Sequence, residues 1–194
     1  MKKLSLYIFL ILTWCNVGFA ELIVFNNIKI GDKMSKHFSS QLISKYYISE
    51  AEKTSKGEQV YGKDLKYSLI GFLKEDGIFK EDYDFFQIYY ENATKKIVSI
   101  AGIDQMSSKV SCLEKRKNDV AMYTKKNRIT GLFNKHQNKH TFPDGMIDDY
   151  ITFKGKVKLF AFSCYLYPDG IITNRVEIYE NNYNDYIFKK FNEE

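Results

Sequence analysis

Cys112 is the residue with the widest choice of chemistry in this sequence. It lies in KVSCLEKRKNDV, near the start of a helix-forming stretch, and the only other cysteines are Cys15 and Cys164. A nucleophilic thiol needs an activating base, and a zinc site needs a Cys-x-x-Cys or paired histidines nearby. No such metal spacing accompanies Cys112 or Cys164. The remaining roles for Cys112 and Cys164 are a disulfide, or burial as two separate apolar thiols.

A second group has the residue types of a hydrolase. His136 and His140 lie four positions apart, and Asp144 follows them. On a helix this spacing would let both imidazoles hold a metal ion. The stretch NKHQNKHTFPDG is polar and runs into Pro143, which favours a solvated loop. We therefore expect no catalytic residue, metal or other cofactor, and we keep a metal-dependent or acid–base hydrolase as the alternative function.

Two adjacent carboxylates, Asp148 and Asp149, stand beside the start of a predicted strand. A glycosidase needs two carboxylates facing each other across a cleft. Acidic residues at strand starts are usually solvated, and the sequence gives no sign of a cleft. We expect both side chains to lie at the surface.

Aromatic residues occupy both sides of the strand-forming stretch YDFFQIYYEN. The two-residue period of a strand places Phe86, Ile88 and Tyr90 on one side. Phe85 and Tyr89 then lie on the other side, where they would partly cover the outer face of the sheet. An exposed aromatic face can bind a protein, peptide or glycan, although tyrosine is also simply a good strand residue. We predict Phe85 and Tyr89 as binding residues.

The first twenty residues, MKKLSLYIFLILTWCNVGFA, have the plan of a secretory signal peptide. Two lysines precede an apolar run, and small residues occupy the −3 and −1 positions of a cleavage site. We expect cleavage of residues 1–20 before Glu21, with an uncleaved anchor as the alternative. Residues 21–194 would form a single periplasmic or secreted domain with no membrane span.

Cleavage would also remove Cys15 and leave an even pair of cysteines, Cys112 and Cys164. An even pair in an exported chain usually forms a disulfide, because that compartment permits oxidation. We therefore predict a Cys112–Cys164 bridge. Two separate buried thiols are the alternative.

The charge of the chain argues against a nucleic acid partner. The formal charge is +5, and it falls to +3 when the two lysines of the signal peptide are removed. Only three of the 29 basic residues are arginine, the side chain that recognises phosphates and base edges best. A scattered lysine excess is typical of a solvated surface.

The elements follow the same order in two halves of the domain. A helical region near GDKMSKHFSSQLISKYY precedes three strands, and the helical stretch SSKVSCLEKRKNDVAMYTKKN precedes three more. The tail NDYIFKKF can form a last short helix. Consecutive hairpins require antiparallel pairing, so the helices should cover one face of a single sheet. We predict an α+β two-layer sandwich with about six strands, in the order α-βββ-α-βββ-α.

The second helix has an apolar stripe, from which its buried side is predicted. The stripe consists of Met106, Val110, Leu113, Val120 and Ala121. Cys112 lies to the side of this stripe, so a bridge to Cys164 would leave from the flank of the helix.

Four features of the chain together resemble one known family. The stretches NNIKIGDKMSKHFS and YDFFQIYYENATKKIVSIAGI, followed by a cysteine in a Lys-rich helix and another in a late strand, are similar to an uncharacterised family of small exported proteins of marine alphaproteobacteria with AT-rich genomes. The resemblance implies export and a cysteine pair at Cys112 and Cys164, and it carries over no active residue. The element order is also similar to that of beta-lactamase-inhibitor-like proteins and outer-membrane-assembly lipoproteins, which bind other proteins.

These patterns favour an exported, non-enzymatic binding or interaction module. Its partner would be a protein, peptide or glycan of the cell envelope, bound at the sheet face.

Overall fold

The computed structural model describes residues 25–48, 66–127, 129 and 133–192. The predicted signal peptide, residues 1–20, lies outside the described residues, as do its cleavage site and Cys15. The described residues form one α+β arrangement of an antiparallel sheet and three α-helices.

The sheet has seven strands of seven to nine residues and a two-residue strand at one edge. The strands are β1 (Tyr47–Ile48), β2 (Tyr67–Leu73), β3 (Phe85–Glu91), β4 (Ile97–Gln105), β5 (Asn134–Thr141), β6 (Ile147–Lys154), β7 (Lys158–Leu166) and β8 (Ile172–Glu180). The helices are α1 (Ser40–Tyr46), α2 (Lys109–Lys126) and α3 (Asn181–Asn192).

The strand order is β1-β2-β3-β4-β8-β7-β6-β5, and all neighbours are antiparallel. Each half of the chain is therefore a four-strand meander. The halves meet at the centre, where β4 pairs with β8. The helix α2 carries the chain from β4 at the centre to β5 at the far edge.

The prediction of about six strands missed β1 and β5. The polar stretch around His136 and His140 was expected to be a loop, but it forms β5 and pairs with β6 along its whole length. All eight β5 residues are exposed. An edge strand with no buried side has no apolar alternation, so the pattern that reveals other strands is absent here.

One face of the sheet, which we call the core face, carries the main hydrophobic core. It packs against residues 25–46 and against α2, which contribute Phe25, Met34 and Tyr123. Buried aromatic and β-branched residues of six strands line this face: Ile70, Phe72, Phe86, Ile88, Ile100, Phe153, Phe160, Phe162, Val176 and Ile178.

The other side, which we call the outer face, is partly covered by α3. Tyr183 of α3 packs against Tyr67 and Tyr89, with ring centroids 5.1 and 5.5 Å apart. A bulge in β4 places Val98 in the same cluster, because Tyr89 pairs with Ser99 whereas Tyr90 pairs with Ile97. The prediction that all helices lie on one face was therefore wrong: α2 and α3 lie on opposite faces.

The disulfide between Cys112 and Cys164 is present, with a Cα–Cα distance of 6.0 Å. It joins the first turn of α2 to β7, and both cysteines are fully buried. The helix begins after Ser108, whose side chain accepts a hydrogen bond from the backbone N–H of Ser111. The bridge prediction is confirmed.

The buried side of α2 differs from the predicted apolar stripe. It consists of Cys112, Arg116, Asp119 and Tyr123, whereas Val110 of the stripe is 66% exposed. Hydrophobic periodicity cannot reveal a buried side that carries two charged residues at its centre. Cys112 is thus central to the contact between α2 and the sheet.

Replacing both cysteines with alanine should lower the free energy of unfolding. The bridge spans 52 positions, for which the chain-entropy model gives about 4 kcal/mol. Urea unfolding of the wild type and of the Cys112→Ala/Cys164→Ala variant measures this loss. Reductant should destabilise the wild type and leave the double variant unchanged, and equal stabilities without reductant would contradict the prediction.

Tyr183→Ala should destabilise the protein by about 3 kcal/mol, because it removes the buried ring through which α3 packs against Tyr67 and Tyr89. The matched control is Tyr167→Ala, since Tyr167 is 39% exposed and its loss should cost well under about 1 kcal/mol. Thermal unfolding of the two variants would contradict this view of α3 if both lost the same stability.

Candidate functional site on the outer face

The outer face carries a polar cluster on its central strands and on β6. Register and alternation place Asp148, Ser163, Tyr165, Arg175 and Glu177 on this side of β6, β7 and β8. Asp148 is directly opposite Tyr165, and Ser163 is directly opposite Arg175. We call these five residues the outer-face cluster.

Arg175 is fixed by two polar neighbours, one of which is held by a third residue. Its Nε lies 2.7 Å from Oε2 of Glu177, and its Nη1 donates to Oε1 of Gln87 at 2.8 Å. Ser99 donates to the other carboxylate oxygen of Glu177. Burial opposes the charge of Arg175, but the ion pair with Glu177 holds the pKa of Arg175 well above its ordinary value. This part of the cluster is a preorganised ion pair.

Asp148 is in a different situation. Its side chain is buried, with 9% of the residue exposed, and its Oδ1 has no hydrogen-bond partner. Burial raises the pKa of Asp148 to about 6, although hydrogen bonding from Ser163 and Tyr165 acts in the opposite direction. The cluster therefore contains a carboxylate that is largely removed from water and incompletely satisfied.

Asp149, the next residue, lies on the core face and has a cation partner. Nη1 of Arg116 on α2 lies 2.6 Å from Oδ1 of Asp149, and it also donates to the Asp149 carbonyl. The expectation that both aspartates are solvated was wrong, because both lie within β6. Alternation along the strand separates two adjacent carboxylates into opposite environments.

A second polar group lies under α2 on the core face. Nζ of Lys115 contacts Asp119 at 2.9 Å and Asp104 at 3.2 Å, and Asp119 accepts a hydrogen bond from Asn174 at 2.8 Å. The Lys115–Asp104 contact joins α2 to β4, and the Asp119–Asn174 contact joins α2 to β8. The Lys115–Asp119 contact lies within α2 and links these two. We therefore assign this group to the attachment of the helix.

The histidine group of the alternative hydrolase function is not assembled. His136 and His140 are exposed and lie on one strand, four residues apart, which corresponds to roughly 13 Å. Asp144 lies in the following turn, where its Oδ1 accepts from the backbone N–H of Met146. Among the described residues, no group of three His, Cys, Asp or Glu side chains is placed to hold a metal ion.

The predicted aromatic binding residues are also placed differently from expectation. Tyr89 is on the outer face but only 5% exposed, because α3 covers it. Phe85 is half-buried on the same face. The exposure expected for Tyr89 was therefore wrong, whereas the expectation that this face carries aromatic residues is correct.

Comparisons with family models, with curated proteins and with solved structures found no match for this chain. Within the part of the chain that the structure describes, no helix has the length and hydropathy needed to cross a membrane.

Sequence reasoning identified none of the five outer-face cluster residues as a site. The signal was weak, because Ser163, Arg175 and Glu177 are ordinary polar residues on alternating strand positions. The Asp148–Asp149 pair is visible in the sequence. That the two side chains lie on opposite faces of the sheet depends on the extent of β6 and on Arg116. A polar residue at every second position of consecutive strands is the pattern that could have indicated this face.

Asp148→Asn should change how stability depends on pH. The pKa of Asp148 is raised from 3.8 to about 6 in the folded state, so ionisation above pH 6 costs folding free energy that is absent below pH 4. The stability of Asp148→Asn relative to wild type should therefore increase by up to about 3 kcal/mol between pH 4 and pH 8. Urea unfolding at several pH values measures this.

Glu114→Gln is the matched control, because Glu114 is an exposed carboxylate on α2. Its difference from wild type should stay nearly constant over the same range. A flat pH profile for Asp148→Asn as well would show that Asp148 does not ionise with a raised pKa.

Proposed function

We propose that the protein is an exported, non-enzymatic binding module that takes its ligand on the outer face, at and around the outer-face cluster. The observation that carries this proposal is the incompletely satisfied carboxylate of Asp148, on the same face as the fixed Arg175–Glu177 pair and two strands away from it. Buried polar atoms in native proteins are normally hydrogen-bonded, so an exception on a polar sheet face suggests an absent partner.

The two faces of the sheet differ in how they are covered, and this difference supports the proposal. The core face is occupied by residues 25–46 and by α2, and its charged groups pair with one another. The outer face carries α3 over the β2–β4 side, whereas the half-buried Tyr150 and Tyr165 lie on the β6–β7 side. Half-buried tyrosines combine a large contact area with a polar end, which suits a binding surface.

Export is the second part of the proposal, and it is supported by the sequence and by the disulfide. The signal-like first twenty residues predict secretion. A buried disulfide that joins helix and sheet is typical of chains that fold in an oxidising compartment. Binding partners would then be components of the cell envelope or its surroundings.

The hydrolase alternative has less support. It requires His136, His140 and Asp144 to act on one substrate atom, and the two imidazoles are separated along an exposed edge strand. Proton transfer needs a side chain within about 3 Å of the reacting group. No further observation favours this alternative over binding.

Photocross-linking in the source cells tests the proposal. A photoreactive phenylalanine analogue replaces Tyr150 on the outer face, and in a second variant it replaces Met122, which is 50% exposed on the solvent side of α2. Intact mass spectrometry of the purified protein detects adducts of small molecules and of proteins alike. We expect a defined adduct at position 150 and none at position 122.

The same adduct at both positions would indicate non-specific capture and contradict the proposal. So would the absence of any adduct at position 150 in cells that export the protein. Adding Asp148→Asn to the Tyr150 variant should reduce the adduct if the outer-face cluster contributes to binding.

A further inference from the structure

We propose that Asp148 and the aromatic residues around it form a subsite for an organic cation, either a primary ammonium or a guanidinium group. This inference rests on the proposed function, because it names the chemistry of the ligand at the same face. The group can belong to a free amine or to a basic side chain of a peptide. The charge and the aromatic contact are common to both sources.

The first argument is the unusual position of Asp148 among the buried polar atoms. Five buried side chains of the described residues have an oxygen without a hydrogen-bond partner: Glu81, Asp104, Asp148, Asn174 and Asn181. In the four others, a different contact explains the side chain's position. The relevant partners are Asn26 for Glu81, Lys115 for Asp104, Asp119 for Asn174, and two backbone carbonyls for Asn181.

Asp148 accepts hydrogen bonds from Ser163 and Tyr165 but, unlike the buried carboxylate of Asp104 with its partner Lys115, it has no partner of opposite charge. No lysine or arginine of the described residues forms an ion pair with it, and the attraction of Arg116 affects its pKa less than burial does. Arg116 is itself directed to Asp149 on the core face. A buried carboxylate without a cation is costly, and an external cation would compensate that cost.

The second argument is the aromatic surroundings on the same face. Tyr165 lies directly opposite Asp148 on β7, and Tyr150 is two residues along β6, so both tyrosines are neighbours of Asp148 on the outer face. Tyr167 continues the row, with its ring centroid 6.3 Å from that of Tyr165. Aromatic faces attract organic cations, and an arrangement of several rings beside a carboxylate is a common form of recognition for them.

The third argument concerns which charge the subsite accepts. An anionic ligand at Asp148 would need a free cation nearby, but Arg175 is held by Glu177 and Gln87, and Lys154 on the same face is six residues away along β6. On the edge side, His140 is the cross-strand neighbour of Asp148, and it is exposed with its ring against Phe142. The unsatisfied charge of this region is therefore the carboxylate, which selects a cation.

The position of Asp148 sets the end of the sheet from which a ligand approaches: its unpartnered Oδ1 has almost no exposed surface, so the cation reaches it when the neighbouring side chains move. It is the second residue of β6, next to the end of the sheet where the β5–β6 and β7–β8 turns lie together. Tyr167 and Ile171 of the second turn are 39% and 44% exposed. An elongated amine can enter from this end with its charge at Asp148 and its methylene chain along these residues.

The test uses an N-terminally blocked peptide with one lysine and the same peptide acetylated at the lysine Nε, which replaces the charged ammonium with a neutral amide. N-butylamine and N-butylguanidine are the free amine and the free guanidinium probe. Binding to the purified protein is followed by two-dimensional NMR, which also reports where the probe contacts the sheet. We expect the charged probes to shift residues near Asp148, and the acetylated peptide to bind at least about tenfold more weakly.

Asp148→Asn should weaken binding of the charged probes by about ten- to a hundredfold, because it removes the carboxylate and keeps the side-chain volume. Tyr165→Phe keeps the ring and should retain most of the affinity, whereas Tyr165→Leu should lose about two- to fivefold. Glu114→Gln is the charge-matched control, and it should bind as the wild type does. Binding of the lysine peptide but not of the free probes would identify a basic side chain as the source of the cation. Binding of the free probes would identify a small ligand.

Equal affinity of Asp148→Asn and wild type, or of the charged and acetylated peptides, would overturn the cation subsite. The proposed function would then be judged by the Tyr150 adduct, which does not depend on the charge of the ligand. An adduct without cation binding would leave the outer face as a binding surface of another chemistry. Cation binding without an adduct in cells would support the subsite and contradict the wider proposal.

Discussion

The register of β6 is the constraint on which the two faces of this protein depend. A strand alternates its side chains, so Asp148 and Asp149 must lie on opposite faces, and a one-residue slip would exchange them. Arg116 contacts both the carboxylate and the carbonyl of Asp149 and so holds the register from the core face. The polar outer face around Asp148 therefore depends on a contact made on the other side of the sheet.

That contact in turn depends on how α2 lies on the sheet. Its buried side carries Arg116 and Asp119 between Cys112 and Tyr123, so apolar packing alone cannot fix its position. Buried ion pairs contribute little net stability compared with apolar residues of similar shape, but breaking one by removing a partner is costly. We interpret the Arg116–Asp149 and Asp119–Asn174 contacts as specifying the position of the helix, and the disulfide as holding it there covalently.

Where the fold was predicted from the sequence, the prediction rested on residues that bury one side. The strands β2, β3, β7 and β8 have alternating apolar residues, and the even pair of cysteines that follows the predicted signal peptide predicted the bridge. The strand β5 was missed because an exposed edge strand needs no apolar side. The side of α2 was misassigned because charged residues are buried there, and the face of α3 depends on tyrosines that are equally common on exposed strands.

The outer-face cluster could not be predicted because it exists only through pairing between distant strands. Ser163 and Arg175 become neighbours only when β7 pairs with β8, and Gln87 reaches Arg175 across 88 residues of sequence. Within this cluster, Glu177 stabilises its neighbour, whereas the burial of Asp148 costs stability at neutral pH. Folding alone gives no reason to keep a buried, incompletely satisfied carboxylate, since asparagine has the same shape without the charge. A buried carboxylate that costs stability at neutral pH is the feature of this face that folding alone does not explain and that the proposed binding function accounts for.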